Sequence, residues 1–150
     1  MTFFFVVLPV SIGGYGWITL QLDHKLPGIV DYKAGHSQKA VQELQDYLKD
    51  HPCTMHESYG NSKPQLAQEY LGLAYLDTHQ DQKAVDTLEN PCVRSSSGHY
   101  YLGMALMRQN KLHEARAAFA KCIDLEGGKF ENHTLINNAT SKIEEIDKLR

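Results

Sequence analysis

One pattern of apolar, small and aromatic residues occurs twice between Gln65 and Leu125, and this internal repeat limits the possible folds more than any other feature of the chain. The first copy reads Tyr70, Leu71, Gly72, Tyr75, then Ala84 and Leu88; the second reads Tyr101, Leu102, Gly103, Leu106, then Ala115 and Phe119. Every residue of the second copy stands 31 positions after its counterpart. Such spacing predicts two stacked helical hairpins. The pairs Leu71-Gly72 and Leu102-Gly103 set a large side chain beside none, so the second helix of a hairpin can approach the first closely. Ala84 and Ala115 serve that approach from the other side, while Tyr75, Leu88 and Phe119 fill the volume left between the helices.

The pattern resembles the tetratricopeptide repeat, whose first helix has the form W-x2-L-G-x2-Y and whose second has A-x3-F. The resemblance implies an all-α fold, an α-solenoid of hairpins in which the first helices line a groove. Two departures stand out. Gln68 and His99 occupy the positions where the family has an aromatic residue, and Pro91 is expected to end the second helix of the first copy early, because proline cannot continue the hydrogen-bond ladder. The early stop accounts for a period of 31 residues in place of the family's usual length of about 34.

Upstream, Phe3 to Leu22 contains no charged residue over 20 positions, and about 20 apolar residues span a bilayer core. A single transmembrane helix is therefore expected within residues 1–24, with Gly13 and Gly16 offering a small-residue face to a membrane helix of another subunit. Lys25, Lys33 and Lys39 follow it, which favours the cytoplasmic or mitochondrial matrix side for the remainder, residues 25–150. A periplasmic placement is the alternative. The expected order of that remainder is a partial repeat over 26–52, a polar loop over 53–62, full repeats over 63–92 and 96–126, and a capping helix over 131–149. Pro27-Gly28 replaces the leucine-glycine pair of the partial repeat, so its first helix is expected to be short or irregular, near Ile29 to Ala34. Ser62 and Gln65 have capping-box form at the start of the first full repeat.

The net charge of −3, with both signs interspersed, provides no basic face for nucleic acid. Cys53, Cys92 and Cys122 form no C-x2-C pair and are expected to be free thiols in a reducing compartment. His51, Cys53, Met55 and His56 offer donors suited to a soft metal, but they crowd one loop without a complementary pair elsewhere, so neither metal nor cofactor is expected. No nucleophile elbow, zinc-protease motif or phosphate loop is present, and the eight histidines are scattered; the chain is not expected to be an enzyme.

From the same resemblance, the groove is expected to present Leu66, Glu69, Leu73, Leu76 and Asp77 in the first copy and Tyr100, Met104, Met107 and Arg108 in the second. Glu69 and Asp77 would repel the acidic peptide ends held by chaperone-binding members of the family. The apolar strip suits instead an apolar or amphipathic segment of a protein partner, against which methionines can repack. The functional expectation is a membrane-anchored protein–protein interaction protein, an accessory or assembly subunit of a membrane complex. The alternative is a free-standing anchored adaptor that recruits a soluble partner, for example a periplasmic one in cytochrome maturation or secretion.

Overall fold

A computed structural model describes residues 26–53, 62–126 and 133–149. The described residues form α1 (Pro27–Lys33), α2 (Ser37–Asp50), α3 (Lys63–Asp77), α4 (Asp81–Leu88), α5 (Ser96–Arg108), α6 (Leu112–Glu126) and α7 (His133–Lys148). They make three hairpins, α1/α2, α3/α4 and α5/α6, followed by α7 against α6. The same device closes each hairpin. A Cβ placed on Gly72 would come within 2.5 Å of Leu88, and one on Gly103 within 2.7 Å of the Phe119 ring, so only glycine permits the observed approach. Gly28 stands in the same relation to Leu44, at 2.5 Å, which makes the first hairpin a true structural counterpart despite its proline. Its first helix is short, as expected, with 7 residues, but it begins at Pro27 rather than at Ile29 and ends at Lys33, because proline suits the first turn of a helix.

The turns repeat with equal regularity. Gly35, His79 and Asn110 each follow the glycine of their hairpin by 7 residues, and all three adopt positive φ, at 83°, 58° and 59°. Such left-handed turns let a helix end and reverse. Ser62 accepts from the Gln65 amide while its own amide donates to Gln65, which completes the capping box at α3. Ser95 caps α5 through the Gly98 amide, at 2.9 Å. Helix α4 stops at Leu88 after 8 residues, short of Pro91, whereas α2 and α6 run to 14 and 15.

Each hairpin packs its second helix on the first helix of the next, α2 on α3, α4 on α5 and α6 on α7. The first helices also meet one another, α1 with α3 and α3 with α5, and α5 touches α7. Because successive helices of a curved stack lie closest on the inside of the bend, the first helices form the inner face. Wholly buried side chains, among them Ile29, Leu44, Leu88, Phe119 and Ile146, run through the stack from the first hairpin to α7. Arg116 on α6 donates to Asp147 on α7 at 2.9 Å, pinning the closing helix.

Three expectations need correction or restriction. Cys53 and Cys92 are joined in a disulfide, with Cα atoms 6.1 Å apart, and are not free thiols. The early stop of α4 sets Cys92 beside the chain that leaves α2, a proximity between residues 39 apart that no local motif reports. Disulfides persist in oxidising surroundings, so the inference of a reducing compartment falls. Cys122 alone is free and buried; burial, and then the neighbouring Glu126, push its thiol up to about 11, which leaves it unreactive. Of the loop donors, Cys53 is committed to the disulfide, while Met55 and His56 lie outside the described residues. The anchor expected at Phe3 to Leu22, with Gly13 and Gly16, also lies outside them. Among the described residues no helix is long and apolar enough to cross a membrane.

Candidate protein-binding face

The inner face is built from aromatic residues supplied by all three first helices. Tyr32 of α1 meets Tyr70 of α3 edge-on, with ring centroids 5.5 Å apart. On α5, Tyr100 packs edge-on against Tyr101 at 5.4 Å and lies tilted against the buried Phe119 at 5.6 Å. Lys33 sits over the Tyr70 ring at 5.6 Å. Burial, and then the nearby Asp77 carboxylate, push the Tyr32 phenol well above its usual range; burial, and then Tyr100 and Glu69, raise that of Tyr101. Both phenols are therefore neutral at physiological pH, and that of Tyr32 is engaged with the Asp77 carboxylate. Tyr32, Tyr70, Tyr100 and Tyr101 are all half-buried, with one side on the core and the other open. Amphipathic rings held in this way offer large contact area at low entropic cost.

The residues expected for the groove divide into three groups. Leu66, Tyr100, Met104 and Met107 are half-buried and packed against the core. Leu73 and Leu76 are buried, at 7% and 5% exposure, because α3 is the central first helix with α1 and α5 on either side of it. They support the face from below. The charged residues are tied into joints between hairpins. Glu69 accepts from the Ser95 and Ser97 hydroxyls at the start of α5, where a carboxylate is also favoured by the helix dipole. Arg108 donates to the Leu76 carbonyl at 2.7 Å and to Asp81 at 3.3 Å. Asp77 is exposed and accepts from Ser37 at 3.2 Å. Sequence reasoning missed Tyr32, although a signal existed: it follows Gly28 by 4 residues, as Leu76 follows Gly72 and Met107 follows Gly103.

The sequence profile of the tetratricopeptide repeat matches residues 96–128, the third hairpin and the start of the segment after it. A tetratricopeptide assignment is thus supported. The solved structures it resembles extend this to the fold of the whole stack. SycD, the type III secretion translocator chaperone of Yersinia enterocolitica, superposes with a TM-score of 0.72 at 16% identity, over 87% of this chain and 83% of its own. PcrH from Pseudomonas aeruginosa gives 0.67 at 17% identity, over 89% and 96%. MamA from Desulfovibrio magneticus gives 0.56 at 22%, over 81% and 71%. No curated protein matches the sequence. At these identities the structures establish fold alone. The tetratricopeptide architecture is that of a protein–protein interaction domain, typical of adaptors and chaperones. The expected localisation as a single-pass membrane protein is corrected to what is shown: among the described residues, which exclude Phe3 to Leu22, no helix is long and apolar enough to cross a membrane.

Proposed function

We propose that this protein is a tetratricopeptide-type binding module that receives an apolar or amphipathic segment of a protein partner along its inner face, as a chaperone or assembly factor does. The observation that supports it is the half-buried strip of Tyr32, Tyr70, Tyr101, Met104 and Met107 across α1, α3 and α5, bordered by charged side chains already engaged within the chain. An amphipathic helix laid in such a groove would cover the rings and methionines, while its polar side remained in solvent. The likeness to a translocator chaperone, SycD, favours a client-holding role over that of a permanent subunit. Glu69 and Arg108 act in this reading as braces that fix the spacing of the hairpins, and so the shape of the face.

Charge insertion tests the reading. Met104→Glu places a carboxylate in the middle of the strip and should weaken binding of an amphipathic leucine–lysine helix by about tenfold or more, with the melting temperature changed by only a few degrees. Unaltered binding would refute the assignment of this face. Collapse of the fold would show Met104 to be core, in which case Tyr101→Ala, at the edge of the strip, provides the second measurement and should weaken the same peptide.

A further inference from the structure

The stop at Leu88 has a second consequence on the opposite side of the hairpins. Helix α4 has 8 residues where α2 and α6 have 14 and 15, and the turns it lacks leave an open cavity of about 460 Å³ between its end, the connecting segment and the helices α5 and α6. Leu88, Val93, Leu102 and Leu125 make its apolar walls. His99 stands at the position where the tetratricopeptide pattern has tryptophan, and its smaller ring leaves that volume unfilled. In the preceding hairpin the equivalent Gln68 reaches across to donate to the Thr87 carbonyl at 3.1 Å, which closes the corresponding gap. Lys121, Arg94 and the carboxylate of Glu89 stand around the rim, and Arg94 donates to the Pro91 carbonyl.

An apolar interior of this size with cationic groups on its rim matches an apolar chain that ends in an anion. We propose that this cavity binds an aliphatic carboxylate of medium chain length, with the chain against Leu102 and Leu125 and the carboxylate between His99 and Lys121. The site is separate from the inner face, and its test does not depend on the peptide reading. Burial, and then Lys121, hold the His99 imidazole below its ordinary range, so it is neutral in the empty cavity. A bound carboxylate favours its protonated form. Affinity should accordingly rise as pH falls through the range in which the His99 imidazole gains its proton.

Isotope-labelled full-length protein titrated with octanoate, with octylamine and with a short peptide ending in leucine with a free carboxylate provides the test. Octanoate should shift the His99, Leu102 and Lys121 resonances saturably, more tightly at the lower pH, and octylamine should not. Preference for octanoate assigns the free acid as ligand; preference for the peptide assigns a chain terminus with the same chemistry. Lys121→Glu, at an exposed position, should weaken the carboxylate by about tenfold without moving the melting temperature, and His99→Trp, which refills the space, should abolish binding. Equal shifts from octylamine, no saturable shift from either carboxylate, or unaltered binding in Lys121→Glu would overturn the proposal.

Discussion

Gly103→Ala sets two known effects against each other, and the structure decides the sign. In a helix interior alanine is favoured over glycine by about 1 kcal/mol, so propensity alone predicts a more stable protein. The new methyl, however, would lie 2.7 to 2.8 Å from three carbons of the Phe119 ring. Carbon atoms settle at about 3.5–4.0 Å, so ring and helix must part by roughly 1 Å. Phe119 is wholly buried with Tyr100 packed on it at 5.6 Å, and it has no free volume to move into. Overpacking of this kind costs about 1–3 kcal/mol, which leaves a net loss of about 1 kcal/mol and a melting temperature lower by about 2–4 °C. Thermal unfolding followed by circular dichroism reads it directly. Repeating the change in a Phe119→Leu background should reduce the loss, with a coupling of about 1 kcal/mol. A rise in melting temperature on Gly103→Ala would refute close contact at this glycine, and with it the packing assigned to the hairpins.

Three other outcomes follow from the same geometry. Replacing Cys53 and Cys92 together by alanine removes a link between residues 39 apart and should cost about 2–4 kcal/mol, measured by urea denaturation; equal stability of the double variant would mean that the disulfide does not form. Arg108→Ala removes the bond to the Leu76 carbonyl and the partner of Asp81, and should lower stability by about 1 kcal/mol while raising amide exchange at the α3–α4 turn. An exchange pattern identical to that of the parent would exclude it as a joint. Gly35→Ala should destabilise by about 1 kcal/mol, since its φ of 83° strains any side chain even though nothing lies within 4 Å of the added methyl. An unchanged melting temperature would contradict the left-handed turn.

The hairpins were legible in the sequence because the residues that set them are local. Leu-Gly pairs, alanines and Pro91 each act within one or two turns of their own helix, so a repeat at constant offset exposes both helices and the break between them. The closing helix was readable for the same reason, from the stripe that includes Ala139, Ile143 and Ile146. What escaped reading depends on contacts between distant segments. The Cys53–Cys92 bond joins two connecting segments on either side of a hairpin, and the share of the inner face that Tyr32 supplies emerges only once Gly28 is seen to do the work of Gly72 and Gly103. Charge was misleading in another way. Glu69 and Arg108 sit at groove positions, yet their partners, Ser95, Ser97, the Leu76 carbonyl and Asp81, come from neighbouring hairpins, and residue type alone does not separate a brace from a contact.

Whether the first-helix face receives an apolar segment is tested most directly by mapping where such a segment lands. An amphipathic helix of leucine and lysine titrated into protein labelled at methionine methyls and at tyrosine and histidine rings would report on α1, α3 and α5 at once, and on α6 and α7 through His113 and His133. Tyr32, Tyr70, Tyr101, Met104 and Met107 should shift together and saturate at one peptide per chain, while His99 on the far side stays fixed. Shifts confined to α6 and α7, or none that saturate, would contradict it.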